Sequence, residues 1–329
     1  MTRPPLSLLD LVRVTDTGSA RQSLLNARTI AAHVEGLGFR RFLVAEHHNM
    51  TGIASAAVSV VLAHVGAGTS TIRIGAAGVM LPNHAPYVIA EQFGTLGQLY
   101  PGRVDLGLGR APGTDGATLV RALRRGGDAG DRFPQDVVEL MGYFAPDDDS
   151  PRIRAVPAPG TDMGFIILGS SHFGALLAAE LGLPYALASH FAPDALMDAL
   201  YLYRQNFKPS DRLAKPHAMV AVNVTCADTE AEARRLFTTP QQGFLGLIRN
   251  ARGLSQPPVD DMAQVWTPRE EAQVMRMLAC HAVGSPDQVR AQLDALVAQT
   301  QADELILATD IHDLEARKHS LTLTAEAWA

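Results

Sequence analysis

Glu46, His47 and His48 stand side by side where the apolar run RFLVA (41–45) ends, and Gly52 follows shortly after. An acid beside two imidazoles suits proton transfer near neutral pH, because a histidine can both donate and accept there. Successive residues at a strand end point to opposite sides, so at most one of the two imidazoles faces a shared site. A histidine taken alone is more often packed or solvated than functional. Its place at a strand end is what raises the functional reading here.

Three more stretches carry usable chemistry. LGLGRAPGTD (106–115) sets Arg110 among Gly107, Gly109 and Gly113, which suits a close approach of ligand and a guanidinium fork on a phosphate. It is not a dinucleotide fingerprint, because the third glycine of that motif would fall on Pro112. LGSSHFGALLAAELG (168–182) ends a strand, turns at Gly169 and places Ser170 and Ser171 before a helix, a natural anion site. GVMLPNHAP (78–86) holds Asn83 and His84 between two prolines, a rigid loop. The plainer readings are a tight loop with a surface arginine, an ordinary serine N-cap and a structural turn.

The elements that must position these residues alternate. Short apolar strands are expected at 7–12, 41–45, 71–76, 103–109, 164–169, 185–189, 217–227 and 303–309, with amphipathic helices between most of them. Parallel strands need helical crossovers, and eight such units favour a closed (β/α)8 TIM barrel over a doubly wound open sheet. One domain over 1–329 is expected, with an acid-, proline- and glycine-rich excursion at about 145–162. A Pro- and Gln-rich long connection or lid is expected at about 240–270. In a parallel barrel the chemistry lies at the C-terminal strand ends, where all four stretches fall.

The totals narrow the class. With 47% hydrophobic and 19% charged residues the chain is globular, and its net charge of −6 argues against nucleic acid or an anionic membrane surface. Cys226 and Cys280 are too few for a disulfide framework or a zinc spacing, so no metal is expected. The chain shows neither a signal peptide nor a long apolar span, and a cytoplasmic location is expected.

Taken together, AEHHNMTGIASAA, GAAGVMLPNHAPYVIAEQFGTLGQLYPGRVDLGLGRAPG, ILGSSHFGALLAAELGLP and VGSPDQVRAQLDALVAQTQADELIL resemble the bacterial luciferase-like flavin monooxygenases over nearly the whole chain. The resemblance is closest to compact single-chain members of unknown substrate. It implies a barrel that binds FMN at its C-terminal mouth and uses reduced flavin and O2 to oxygenate a small organic substrate, such as an aldehyde or alkane. It implies His47 as the acid/base residue, and Arg110, Ser170, Ser171 and Gly174 as phosphate-binding positions. Ala76, Ala77 and Gly78 fall where the family often has a non-proline cis peptide beneath the flavin. Glu46, His48, Asn83, His84 and His190 are assigned to the pocket or its support, with His84 or His190 taking the proton-transfer role if His47 is only a wall. A reactive cysteine that luciferase itself carries before the arginine is replaced by Gly109, which counts against light emission. No nicotinamide-binding fingerprint is seen, so a separate NAD(P)H:flavin reductase is the expected partner, and a homodimer is compatible with the family. The alternatives are an F420-dependent oxidoreductase of the same fold and a flavin-binding protein without turnover. A metal hydrolase is disfavoured, because no H-x-H pair or strand-end carboxylate cluster appears.

Overall fold

The computed structural model describes residues 3–126, 130–146 and 153–329. Nine parallel strands are found among them: β1 (Leu6–Asp10), β2 (Arg41–Val44), β3 (Arg73–Met80), β4 (Val104–Gly109), β5 (Gly164–Gly169), β6 (Tyr185–Leu187), β7 (Ala218–Cys226), β8 (His281–Gly284) and β9 (Glu304–Ala308). Strands β1 to β6 pair in chain order, then β6 pairs with β7, β7 with β9 and β9 with β1. Eight strands therefore close into the (β/α)8 barrel that the alternation predicts. The ninth, β8, pairs with the Asn223–Cys226 end of β7 outside that ring. Four residues are too few to show a period, and the sequence reading did not include it.

The helices are α1 (Ala20–Gly36), α2 (Val58–Gly66), α3 (Pro86–Leu99), α4 (Phe133–Gly142), α5 (His172–Leu181), α6 (Leu196–Asn206), α7 (Glu230–Ile248), α8 (Pro268–Met277), α9 (Pro286–Thr300) and α10 (Leu314–Trp328). Their buried faces pack on the outside of the barrel around Phe42, Leu62, Ile74, Phe93 and Tyr203. The inside is filled by Leu9, Leu43, Ala45, Ile166, Ala186, Met219, Ala221 and Ile306, with Ala77 and Leu168 packed on them. The barrel is thus a solid core, and any site must lie at one of its ends.

The N-terminal end is closed by charge. Arg41, at the start of β2, donates to Asp105 at 2.9 Å and pairs with Glu304. Arg73 forks onto Asp105 at 2.9 and 2.6 Å, and Ser7 donates to Glu304 at 2.5 Å. Burial alone would raise the Glu304 carboxyl, but His217, Arg41 and Ser7 outweigh it and hold the group down at about 2. Every charge here has its counter-charge, the condition under which buried ions are tolerated.

One expectation about connections changes. The span expected as a connection at 240–270 begins inside α7, which continues through Pro240 to Ile248. Phe237 and Leu245, on either side of that proline, are buried against Met262, Val274 and Leu278, and this packing outweighs the missing N–H. The same span ends inside α8, whose Thr267–Glu270 capping box is legible as TPRE. Of the excursion at 145–162, residues 147–152 lie outside the described residues; the rest is without regular structure and includes a cis Val156–Pro157 bond.

Candidate functional site at the C-terminal mouth of the barrel

His47 extends the inward-facing row of β2. Leu43 and Ala45 point into the barrel, and strand alternation puts His47 on the same side. His190 lies in the turn that follows β6, held over the end of the barrel by Asn223, which extends the inward-facing row of Met219 and Ala221 on β7 and donates to the His190 carbonyl. Each ring has a buried Nδ1 without a hydrogen-bond partner. Burial lowers the His47 ring to about 4, with Arg13 and Arg252 adding to the effect and Glu46 opposing it. His190 is lowered to about 4 as well, first by burial and then by His47 and Arg13. Both rings are therefore neutral at physiological pH. The expectation of a ring titrating near neutrality does not hold for the unliganded protein.

Glu46 and His48 face the other way. The Glu46 carboxylate, 2% exposed as a residue, accepts from His48 Nε2 at 2.6 Å, His84 Nε2 at 2.7 Å and the Met80 amide at 3.2 Å. Burial would raise this carboxyl, and the two imidazoles more than offset that, holding it at about 2. The side chains of Glu46 and His48 bind each other and His84, so any support they give His47 comes through the backbone between them. Neither an H-x-H pair nor a cluster of carboxylates is present in the trio Glu46, His48 and His84, which is one carboxylate and two imidazoles. The three candidate ligand atoms lie within 4.8 Å of one another, close enough to hold a cation. Both Nε2 atoms, however, are already engaged by the carboxylate.

The loops after β2, β3 and β4 are knitted together around this carboxylate. His48 N donates to Gly113 O at 3.0 Å, and Asn83 Nδ2 donates to Pro112 O at 2.8 Å. Between them runs the segment Ala76-Ala77-Gly78. The Ala77–Gly78 peptide is cis, and the β3–β4 register shifts between Ala76 and Val79. A Cβ at Gly78 would sit 2.6 Å from Leu168 Cδ1 and 2.9 Å from Gly107 O, so only glycine lets the three strands meet here.

Arg110 leaves the end of β4 and stacks on Phe173, its guanidinium carbon 4.1 Å from the ring centroid. Phe173 is in the first turn of α5. The N-cap of that helix is Ser171, whose side chain makes no capping bond, so the first-turn amides are not satisfied by it. Ser170 is half-buried and Ser171 exposed, while Gly174 is buried against Gly169 and Tyr185. Arginine, free helix N-terminus and serine hydroxyls thus converge from two adjacent loops, an arrangement suited to a phosphate.

A strap formed by residues 251–255 runs along the opposite side of the mouth. Ser255 pairs with the β1 loop through Asp16 N to Ser255 O at 3.0 Å and Ser255 N to Val14 O at 2.8 Å. Gly52 admits it: a Cβ there would lie 1.9 Å from Gly253 O. So the glycine after the histidines serves a close backbone approach as well as the turn that Ile53 N closes onto Met50 O at 3.2 Å. The strap carries Arg252, which reaches Met50 Sδ at 3.7 Å.

Sequence reasoning missed several residues here. Thr114 and Thr309 have buried hydroxyls without partners, as does the Asn83 side-chain oxygen. With His47 and His190, these unsatisfied atoms lie just beyond β2, β3, β4, β6 and β9. Leaving a buried polar group unpaired costs about 1–3 kcal/mol, so such a ring of them points to a ligand. Thr309 and Arg13, which pairs with Asp310 at 3.0 Å, directly follow strands and could have been found by the strand-end rule.

The fold and this mouth define a luciferase-like TIM barrel. The chain belongs to the luciferase-like monooxygenase family, which it matches over residues 5–304. A luciferase-like monooxygenase of Escherichia coli K12 is 50% identical over 97% of this chain and 96% of its own. The solved structure of apo-MsnO8 superposes with a TM-score of 0.86 at 32% identity, covering 99% of this chain and 98% of that one. Two more distant structures share the fold. One is the oxygenating constituent of 3,6-diketocamphane monooxygenase from Pseudomonas putida in complex with FMN, with TM-score 0.73, 18% identity and coverage of 99% and 98%. The other is an F420-dependent secondary alcohol dehydrogenase in complex with an F420–acetone adduct, with TM-score 0.71, 13% identity and full coverage of both chains. No helix among the described residues is long and apolar enough to cross a membrane.

Proposed function

We propose that this protein is a monooxygenase that takes reduced FMN and O2 and oxygenates a small organic substrate at the C-terminal mouth. One observation carries the reading: Arg110 and the uncapped N-terminus of α5 meet across Phe173 at 4.1 Å, a built place for a phosphate. The residues fit FMN in other respects. Gly78 leaves a flat, Cβ-free floor, and the unpaired polar atoms of Asn83, Thr114 and Thr309 are free to meet a polar ring edge.

Reduced FMN supplies the electrons that activate O2. The chain supplies the rest. Arg110, Ser170, Ser171 and the α5 amides hold the phosphate, and Gly174 lets α5 approach β5. Ala76, Ala77 and Gly78 form the floor. Neutral His47 accepts or gives a proton at a ring nitrogen, and Glu46 fixes the loop through Met80, His48 and His84. The strap excludes water from the far side. A separate NAD(P)H:flavin reductase delivers the reduced flavin.

Quenching of intrinsic fluorescence by FMN or F420 tests the cofactor, and oxygen uptake with product analysis over an aldehyde chain-length series tests the reaction. Tight binding of FMN with oxygenated product is the expected result. Binding of F420 alone would make the protein a hydride-transfer enzyme, and FMN binding with only hydrogen peroxide released on every substrate would make it a flavin carrier.

A further inference from the structure

His47 extends the inward-facing row of β2 and His190 lies in the turn after β6, and those strands stand on opposite sides of the ring. In the order β1-β2-β3-β4-β5-β6-β7-β9, strands β2 and β6 are four places apart, the largest separation an eight-membered ring allows. Both residues therefore stand over the C-terminal end of the barrel, on opposite sides of it. His190 is held there firmly. Asn223 of β7 donates to its carbonyl, Ser189 donates to Ala221 O at 2.6 Å, and the Phe191 ring stands edge-on at 4.9 Å. Neither ring makes a hydrogen bond to protein among the described residues, and each leaves Nδ1 buried. Other histidines of the chain, such as His33, His48, His84, His217 and His281, all have partners. His64 also has an orphaned nitrogen, but it belongs to α2 in the outer shell.

We propose that His190 is a second catalytic histidine, and that the two imidazoles together bind one protic oxygen, an O–H group of water, substrate or reacting oxygen, between a donor and an acceptor nitrogen. A neutral imidazole offers one of each, so two of them, with complementary tautomers, satisfy an O–H group on both its hydrogen and its lone pair. Two charged rings could only donate. Burial keeps both rings neutral, with Arg13 acting on each and Arg252 on His47 alone, and His47 itself opposes charge on His190. The acid and remaining imidazole near His47, Glu46 and His48, are engaged with each other on the outer side. The pairing itself stands on fold geometry, while its catalytic part rests on the monooxygenase reading above.

The two parts are tested separately. In the unliganded protein, ring titration by NMR should show His190 protonating at higher pH in His47→Gln than in the wild type, because a like charge has been removed. Where His47→Gln does not fold, His47→Asn serves, and the wild-type His190 curve itself should show two coupled steps. A His190 curve that is single-step and unmoved overturns the pairing. With reduced FMN and O2, the yield of hydrogen peroxide relative to oxygenated product is then followed in His47→Asn, His190→Asn and the double variant. Each single variant should lower oxygenated product about 10²–10⁴-fold with FMN binding unchanged, and the double variant should be no worse than either, as for residues that act as one unit. Multiplying losses would show two independent residues, and an unaffected His190→Asn would remove the catalytic role. Failure of the wild type to bind FMN would instead overturn the monooxygenase reading and leave the NMR result to decide the pair.

Discussion

Lowering the pH should destabilise the unliganded protein through His47 and His190. In the folded state both rings sit at about 4, through burial first, with Arg13, Arg252 and His48 opposing charge on His47, and His47 and Arg13 opposing it on His190. Glu46 works in the other direction but does not prevail. In the unfolded chain an exposed histidine titrates near about 6.5. Unfolding therefore takes up protons between those values. The stability involved is fully present above about pH 6.5 and is lost as the pH falls from there to about 4. At about pH 5 the unfolded ring is protonated about thirty times over and the folded ring about one time in ten, a difference of about 2 kcal/mol for each histidine. Urea unfolding of the wild type, His47→Asn and His190→Asn at about pH 7.5 and pH 5 measures it. Each variant should lose about 2 kcal/mol less than the wild type between the two pH values, while carboxylates elsewhere contribute alike to all three. Identical losses in all three proteins would mean that the rings are not buried neutral, and the argument from their unpaired nitrogens would fail with them.

Arg110→Ala should weaken FMN about ten- to thirtyfold, the lower range for a charge-assisted contact on an exposed arginine, and leave riboflavin nearly unchanged; equal losses in a fluorescence titration would remove Arg110 from the phosphate site. Arg41→Met should destabilise the fold by about 3–5 kcal/mol at neutral pH, because Glu304 and Asp105 lose a shared counter-charge, and the midpoint of a urea transition reports it. That deficit should shrink in acid, since Glu304, held at about 2, contributes stability above its ordinary carboxylate value that is lost as the pH falls towards about 2. Gly52→Val should lift the strap from the β1 loop, so hydrogen exchange at the Asp16 and Ser255 amides accelerates while that of the barrel strands does not.

The barrel was legible because its parallel strands are short aliphatic runs punctuated by glycine and separated by amphipathic helices, and because ring closure leaves few other arrangements. The strand β8 was not, since HAVG has no period of its own and is ordered by pairing with the far end of β7. Nor was the course of α7, where packing of Phe237 and Leu245 overrides what a proline at 240 signals locally. At the mouth, alternation separates His47 from His48. Which of them faces inward depends on the row it extends, and that becomes certain only with Leu43 and Ala45 seen in the barrel core. The Glu46–His84 bond joins residues 38 apart on separate loops, and no local pattern encodes it. The same holds for the approach of the strap to Gly52, where the sequence shows the turn and not the neighbour.

The opposition of β2 and β6 has a consequence for how this mouth can vary. The separation of His47 and His190 is inherited from the count and spacing of hydrogen-bonded strands, each about 4.8 Å from the next, and from the turn after β6 that Asn223 holds in place, and the other loops of the mouth have little influence on it. The strap, the β4 loop and the segment before β5 can be lengthened, shortened or re-sequenced, and the span between the two rings stays the same. Changes of substrate can then accumulate at the periphery while the central distance behaves like a gauge block, disturbed only by a slip in register or the loss of a strand. A random library confined to residues 111–126 and 249–261 should accordingly change what is bound far more readily than whether a proton is handled at the centre.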